Sequence, residues 1–97
     1  MTVEVRLVGP EDTEIRQFDA EAADRLCRST SIELLRALAR EEPTSIREAA
    51  RLVERDVRQV HDNLWKLGEL GLVAFDRSGQ SHRPYVTYER IELEIDL

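Results

Sequence analysis

Two closely spaced helix signals in the middle of the chain limit the folds that it can adopt. Ser45 and Glu48 have the spacing of a capping box, in which the serine oxygen accepts a hydrogen bond from the N3 amide and the glutamate reaches back to the cap amide. A short helix is therefore predicted over residues 46–54. Asp56 is the expected cap of a second, longer helix over residues 57–70.

The residues after these helices favour a β-hairpin. Gly71 stands where a helix end favours the left-handed conformation, so the second helix is expected to end there. Apolar and aromatic residues then predict strands over residues 72–76 and 84–88, joined by a polar, basic turn over residues 77–83 that contains a glycine. Two helices separated by a tight turn and followed by a hairpin have the order of a winged helix-turn-helix.

Two further helices are predicted before this unit. Asp19 is a suitable cap for a helix over residues 19–26, which a Ser-Thr-Ser break at residues 29–31 separates from the next helix. Apolar residues at helical spacing, closed by a proline, put that next helix at residues 32–42. The acidic residues 11–14 are interpreted as a loop.

Both ends of the chain alternate apolar and charged residues. Residues 3–8 predict a short half-buried strand that Gly9 and Pro10 terminate, and residues 91–97 have the same period of two. Pairing these strands with each other would bury both apolar faces, within a subunit or between two. We also expect the last strand to extend the hairpin. The predicted fold class is α+β, a winged helix-turn-helix with three to four helices, a hairpin wing and N- and C-terminal strands.

Length and hydropathy predict one domain. The chain has 97 residues, 41% of them hydrophobic, which suffices for a single core. We divide that domain into an N-terminal extension over residues 1–30, a core with the wing over residues 31–90, and a C-terminal strand over residues 91–97.

No segment approaches the roughly 20 apolar residues that cross a bilayer, and the first residues lack the layout of a signal peptide. A cytoplasmic protein without membrane association is expected.

The pattern of titratable residues predicts neither a metal site nor a catalytic site. His61 and His82 have no cysteine or acidic partners at the spacing of metal ligands, so neither a metal nor a cofactor is expected. No pairing typical of nucleophilic or acid–base catalysis occurs, and we expect no enzyme. His61 flanks the apolar side of its helix and is predicted to be partly buried. Cys27 is expected to be a small core residue, with a redox sensor as the alternative.

The acidic net charge of the chain is unevenly distributed along the sequence. A formal net charge of −6 opposes nucleic-acid binding, because affinity for a duplex depends largely on neutralising phosphates. The acid, however, is concentrated outside the middle of the chain. Residues 1–44 carry −4 and residues 91–97 carry −3, whereas residues 45–90 carry +1. The segment that contains the two helices and the hairpin is therefore the one best suited to a polyanion.

The longer of the two central helices has a polar side that suits base recognition. On a helical wheel its apolar residues share one side: Val57, Val60, Leu64 and Leu67. Its opposite side and one edge are polar: Arg58, Gln59, Asp62, Asn63 and Lys66. Arginine can read guanine, glutamine or asparagine can read adenine, and aspartate can read cytosine. The helix is thus expected to enter the major groove of double-stranded DNA.

Particular runs of sequence also resemble a known family. The patterns R-D-V-x-x-V-H, L-G-L-V and R-P-x-V-x-Y-x-x-I-E occur within residues 45–73 and 83–95. They are similar to those of small DNA-binding regulators from haloarchaea and some bacteria, which are assigned a MarR-like winged helix-turn-helix. The resemblance implies a supporting helix over residues 45–54, a recognition helix over residues 56–70 and a wing tip over residues 77–83.

These arguments together predict a set of DNA-contacting residues: Ser45, Arg47, Arg55, Arg58, Gln59, Asp62, Asn63, Lys66, Arg77, Ser78, Gln80, His82 and Arg83. For two of them a structural role is also open. Asp62 has the spacing to pair with Arg58 and Lys66 along the helix, and Ser45 can be a cap as well as a phosphate contact. Trp65 departs from the polar residue expected there, which suggests packing against the N-terminal segment or a second subunit.

The expected function is that of a sequence-specific transcriptional regulator. One recognition helix covers few base pairs, so a homodimer on a palindromic operator is expected, as repressor or activator. The alternative is a protein-interaction module, such as an antitoxin that neutralises a toxin-like partner, which the acidic N-terminal region favours.

Overall fold

The computed structural model describes residues 2–97, which contain four helices and five strands. In chain order they are β1 (Thr2–Val8), β2 (Thr13–Asp19), α1 (Ala20–Cys27), α2 (Ser29–Glu41), α3 (Ile46–Leu52), α4 (Val57–Glu69), β3 (Ala74–Asp76), β4 (Arg83–Tyr85) and β5 (Arg90–Ile95). The strands form two antiparallel sheets, so the predicted α+β class is confirmed. None of the helices in this part of the chain has the length and apolarity that crossing a bilayer requires.

The larger sheet has the order β2-β1-β5, with β1 at its centre. Val3, Val5 and Leu7 of β1 are buried, and the residues between them are half-buried. Strand β5 pairs antiparallel with β1, which sets Ile95 opposite Val3. The predicted pairing of the terminal strands is confirmed and lies within one chain. The prediction that the last strand extends the hairpin is wrong, because β3 and β4 form a separate sheet.

Strand β2 is absent from the sequence prediction. The loop assigned to residues 11–14 is shorter, because the Gly9 amide donates to the Asp12 carbonyl at 2.8 Å and β2 begins at Thr13. Phe18 is the one buried residue of β2, so the strand lacks the alternation that predicts such an element. Its extended conformation depends on its seven-residue pairing with β1.

Helix α1 begins at the predicted cap. The Asp19 carboxylate accepts a hydrogen bond from the Ala22 amide at 2.8 Å, which satisfies one of the unpaired donors of the first turn. The expectation that Cys27 lies in the core is wrong. Its side chain is exposed at the end of the helix, while the neighbouring Leu26 is buried.

The junction between α1 and α2 is tighter than predicted. The break assigned to residues 29–31 is wrong, since α2 already begins at Ser29 and Arg28 alone separates the two helices. The Ser31 hydroxyl donates to the Arg25 carbonyl at 2.7 Å. This buried serine therefore joins the two helices instead of interrupting them.

Half of the predicted capping box forms at α3. The Ser45 hydroxyl oxygen accepts from the Glu48 amide at 3.0 Å, as predicted. The Glu48 carboxylate does not return to the cap amide and instead accepts from the Thr44 hydroxyl at 2.9 Å. The helix ends at Leu52, two residues earlier than predicted, and Glu54 adopts a left-handed φ of 55° that redirects the chain into α4.

Helix α4 differs from the prediction at its start and agrees at its end. Asp56 occupies the cap position, but its side chain makes no capping hydrogen bond. At the other end Gly71 has a φ of 76°. The Leu72 amide donates to the Leu67 carbonyl and the Gly71 amide to the Gly68 carbonyl, each at 3.0 Å. This Schellman arrangement satisfies carbonyls of the last turn and confirms the predicted end of the helix.

One hydrophobic core connects the helices to the larger sheet. Its members come from β1, β2, α1, α2, α3, α4 and the segment after α4. Val60, Leu64 and Leu67 of α4 are each at most 1% exposed. Burying such a side chain contributes about 1.5–3 kcal/mol relative to leaving it in water. The orientation of α4 is therefore fixed by its apolar side, which determines the residues that it presents to solvent.

Candidate nucleic-acid interface

The outward side of α4 presents the side chains predicted to read bases. Arg58, Gln59, Asp62 and Lys66 are exposed, and Asn63 is half-buried. The buried side of the helix packs against α2 and α3. With 13 residues and a rise of about 1.5 Å each, the helix is roughly 20 Å long. Its polar side is thus a continuous surface that other parts of the described chain leave open.

Asp62 does not form the ion pairs expected along this helix. Among residues 2–97, no carboxylate lies within 4.0 Å of the Arg58 guanidinium or the Lys66 ammonium group. Asp62 instead has an oxygen 3.6 Å from Nδ1 of His61. The two cations therefore keep their full charge available to a ligand.

The hairpin packs directly on the second half of α4. Gly68 leaves room for Phe75, since a Cβ atom at Gly68 would lie only 3.0 Å from Cε2 of the phenylalanine ring. Trp65 contacts the same ring, with the two centroids 5.4 Å apart. The ring contacts of Trp65 thus lie within α4 and the hairpin and not in the N-terminal segment, while its packing against a second subunit stays a prediction. These contacts fix the hairpin beside the polar side of the helix.

Three side chains stack along the edge that joins α4 to the hairpin. The rings of His61 and Trp65 lie nearly parallel, at 9°, with centroids 5.7 Å apart. The guanidinium of Arg77 lies 5.8 Å from the centroid of Trp65, within the range of a cation–π contact. The prediction that His61 is partly buried is wrong, because stacking on the exposed tryptophan keeps the imidazole at the surface.

Charged side chains brace the base of the hairpin loop. The Asp76 carboxylate accepts from the Ser78 amide at 2.9 Å and lies 3.6 Å from the Arg83 guanidinium. The Ser78 amide and, to a smaller degree, Arg83 hold the pKa of Asp76 below its ordinary value. Arg83 also lies over the ring of Tyr85, at 4.8 Å. Arg83 is therefore a member of β4 with structural partners, and its assignment to the tip of the loop is wrong.

Three separate segments of the chain enclose an open groove of about 610 Å³, which we call the α4–hairpin groove. The start of α3, the first turns of α4 and the hairpin loop contribute its lining: Ser45, Ile46, Arg47, Val57, Arg58, His61, Gln80, Ser81 and His82. Of the described residues, none that lines the groove is acidic. Two arginines and two histidines thus meet in a chain whose net charge is −6.

The groove contains five of the predicted contact residues: Ser45, Arg47, Arg58, Gln80 and His82. Gln59, Asp62, Asn63 and Lys66 lie on α4 outside its lining, and Arg77, Ser78 and Arg83 belong to the hairpin outside it. Sequence reasoning missed His61 and Ser81. Ser81 belongs to the loop already assigned to the wing tip, so its position was a usable signal.

Arg55 does not belong to this surface. Its side chain is only 16% exposed, and its Nη2 donates to the Thr30 carbonyl at 3.0 Å, with Glu33 at 3.6 Å. Its Nε and Nη1 are buried without a hydrogen-bond partner among the described residues. This burial argues against the predicted DNA contact at Arg55. The residue links the turn between α3 and α4 to the start of α2.

The lining of the groove is rich in hydrogen-bond donors. Guanidinium groups, imidazoles, a hydroxyl and an amide can donate hydrogen bonds to phosphate oxygens. Within residues 2–97, no group of three or more His, Cys, Asp or Glu side chains has the arrangement of a metal site.

The comparison with known proteins identifies a family. The model of the HVO_A0114 family matches residues 21–93, about three quarters of the chain, including the hairpin and all four helices except the first residue of α1. No curated protein and no solved structure matches the chain. On the extent of the family match, the chain is a member of the HVO_A0114 family.

Proposed function

We propose that this protein binds double-stranded DNA as a transcriptional regulator, using a winged helix-turn-helix in which α4 is the recognition helix and the β3–β4 hairpin is the wing. One observation carries the proposal. The α4–hairpin groove has arginines and histidines in its lining and no described carboxylate, although acids outnumber bases by 20 to 14 in the whole chain. The two arginines give this groove a local excess of positive charge, which is what binding a polyanion requires.

The geometry of α4 supports the major groove as its site. A helix fits the roughly 12 Å width of that groove, and base edges there are distinguished by paired donors and acceptors. Arg58, Gln59 and Lys66 are exposed and lack carboxylate partners among the described residues. Arg58 also lines the groove, so it is the side chain with access to both bases and backbone. We assign base readout to Arg58 and Gln59.

The hairpin loop supports a backbone or minor-groove contact. Gln80 and His82 face the same groove as Arg47, across from α4. Arg77 is exposed and lies over Trp65, which orients its guanidinium along the edge of the helix. Contacts to phosphates position a protein on the duplex without reading sequence. We assign that role to Arg47, Gln80 and Arg77.

Selection from a pool of random duplexes, followed by fluorescence anisotropy at several salt concentrations, tests the proposal. We expect an enriched site, and a log–log plot of affinity against salt with a slope of roughly −0.9 for each phosphate contact. Arg58→Ala should weaken binding about 10-fold or more and relax preference at one base pair. Arg47→Ala should weaken binding to all duplexes alike and should reduce the salt slope by about the value of one phosphate contact.

Arg51→Ala is the matched control. Arg51 is exposed on α3 like Arg47, but it does not line the groove, so its removal should leave the affinity within about 2-fold. Failure to enrich any duplex, or equal losses for the three variants, would overturn the proposal. A stable complex with a toxin-like protein in the absence of DNA affinity would favour the protein-interaction alternative.

A further inference from the structure

The two edges of the three-stranded sheet differ in how they are protected. On the helix-facing side of β2, the register puts Glu14 opposite Leu7 and Arg16 opposite Val5, and these two charges pair at 2.8 Å. Charged side chains that point inward from an edge strand discourage further pairing. Among residues 2–97 no strand covers either edge, so β2 is guarded by its side chains alone.

The β5 edge has no such guard. On the helix-facing side its register sets Ile91, Leu93 and Ile95 opposite the buried residues of β1. Leu93 is 38% exposed and Ile95 is 52% exposed, so the row of apolar side chains is only partly covered. A long edge strand with exposed apolar residues is a template for another strand.

An apolar groove of about 560 Å³ runs along this edge, and we call it the β5 groove. Leu26, Ile32 and Leu35 are among its apolar lining residues, which come from α1, α2 and β5. Its charged lining consists of three arginines and one acid: Arg36, Arg40, Arg90 and Glu89. An occupant of this groove should therefore combine apolar side chains with negative charge.

The same chain has a segment of that description. Residues 91–97 alternate apolar residues with the acids Glu92, Glu94 and Asp96. Ile95 and Leu97 at the end of this segment are exposed. The acids of the segment are complementary in charge to Arg90 at the edge of the β5 groove, and its residues up to Ile95 are already in a strand.

We propose that two copies of the chain pair antiparallel along β5, about a twofold axis at Glu92, to form a six-stranded sheet. This inference specifies the dimer expected for a DNA-binding regulator, but it rests on the sheet edge and needs no DNA. In an isologous pair each residue that contacts another is contacted by it in return. The register at Glu92 sets Arg90 opposite the partner's Glu94 twice and Ile91 opposite the partner's Leu93 twice.

Charge selects this register. Two antiparallel registers with a twofold axis pair five residues of β5 with the partner strand. One register is centred on Glu92 and the other on Leu93. The register at Leu93 sets Glu92 opposite the partner's Glu94 twice, and like charges directly opposite destabilise a sheet. The register at Glu92 has one such pair, and each of its carboxylates already accepts from Arg6 at 3.1 Å and from Arg90 at 3.0 Å.

The same register fills the β5 groove. The partner's strand continues past Arg90 along the part of the chain that lines the groove, so the partner's Ile95 and Leu97 extend toward Ile32 and Leu35. The apolar lining of the groove is thereby covered by the partner's strand.

Sedimentation equilibrium of the full chain over a range of micromolar concentrations tests the pairing. The unaltered protein should be a dimer, and Leu93→Lys should raise the dimer dissociation constant at least about 10-fold, because a charge is introduced into the apolar row. Ile15→Lys is the matched control: Ile15 is 59% exposed on β2, so its substitution should leave the dimer intact. Circular dichroism verifies that each variant is folded.

A charge exchange tests the register without altering the apolar row. Arg90→Glu and Glu94→Arg should each weaken the dimer, and the double variant should recover most of the loss, because the exchanged charges face each other again. A monomeric unaltered protein, a dimer unaffected by Leu93→Lys, or a dimer that Ile15→Lys dissociates would overturn the proposal. Absence of recovery in the double variant would overturn the register. None of these results depends on DNA binding, so the two proposals can fail separately.

Discussion

The Tyr88 hydroxyl donates a hydrogen bond to the backbone carbonyl of Leu72 at 2.6 Å. Leu72 follows the turn that ends α4, and Tyr88 precedes β5, so this bond connects the helix–hairpin unit to the strand of the larger sheet. The two sheets share no strand, which makes such cross-links important for their relative position. Burial raises the pKa of Tyr88 well above its ordinary value, so the hydroxyl remains a donor.

Tyr88→Phe should lower the free energy of unfolding by about 1–2 kcal/mol, since the buried Leu72 carbonyl loses its partner. Urea unfolding at neutral pH measures the loss. The pKa of Tyr88 is raised in the folded state, so its contribution is complete below about pH 10 and declines as the pH rises further. The difference between the two proteins should therefore shrink in alkali. Tyr85→Phe, a half-buried hairpin residue, should change stability by less than about 0.5 kcal/mol.

Gly71→Ala should destabilise the protein by about 1 kcal/mol or more, because its φ of 76° strains any residue with a Cβ atom. The space itself is adequate, since the added atom would lie 3.5 Å from the Arg16 side chain. Gly79→Ala is the control, as nothing lies within 4 Å of its added atom. Equal thermal midpoints for the two variants would contradict the assigned role of Gly71.

Gly68→Ala should displace Phe75, because the added Cβ atom would lie 3.0 Å from the ring. Overpacking costs about 1–3 kcal/mol and the gain in helix propensity returns up to about 1 kcal/mol, so we expect a net loss near 1 kcal/mol. The one tryptophan of the chain contacts Phe75, and its emission should report the displacement. In a protein that already carries Phe75→Leu, Gly68→Ala should lower the free energy of unfolding by less than it does in the unaltered protein. Strict additivity would argue against the contact.

Glu92→Gln should make the protein less sensitive to acid. A hydrogen bond from Arg6 is the main cause that lowers the pKa of Glu92 from its ordinary value. A lowered pKa in the folded state contributes stability above the ordinary value of 4.5, and this stability is lost as the pH falls below it. The thermal midpoint of the variant should therefore fall less than that of the unaltered protein between about pH 6 and pH 3. Glu11 lies in an exposed turn, so the thermal midpoint of Glu11→Gln should fall on acidification as much as that of the unaltered protein.

The helices were predictable because their signals are local. Asp19, Ser45 and Gly71 each act within one turn of their own position, and the structure confirms all three. Strand β2 was not predictable in the same way, because its residues are mostly polar and its conformation depends on β1. The end strands could be paired from their alternation, but the separation of the hairpin into its own sheet could not.

The candidate site shows the same division between local and tertiary information. The outward side of α4 follows from its period, so the exposure of Arg58 and Lys66 could be predicted. Arg55 follows a bend at Glu54, and the direction of its side chain depends on the packing of α2, which no local pattern encodes. His61 lies on the border between the two sides of α4, where a small rotation decides between core and surface.

The β3–β4 sheet shares no strand with the β2-β1-β5 sheet, so α4 with the hairpin and the edge of β5 are separate surfaces of one folded chain. After a gene duplication, substitutions on α4 and the hairpin could retarget one paralogue without altering the edge of β5. Under the proposed β5 pairing and DNA binding, sibling proteins would still assemble with each other, and mixed pairs would bring two different half-sites under joint control. Paralogues that must act separately would need to diverge first at Arg90, Leu93 and Glu94.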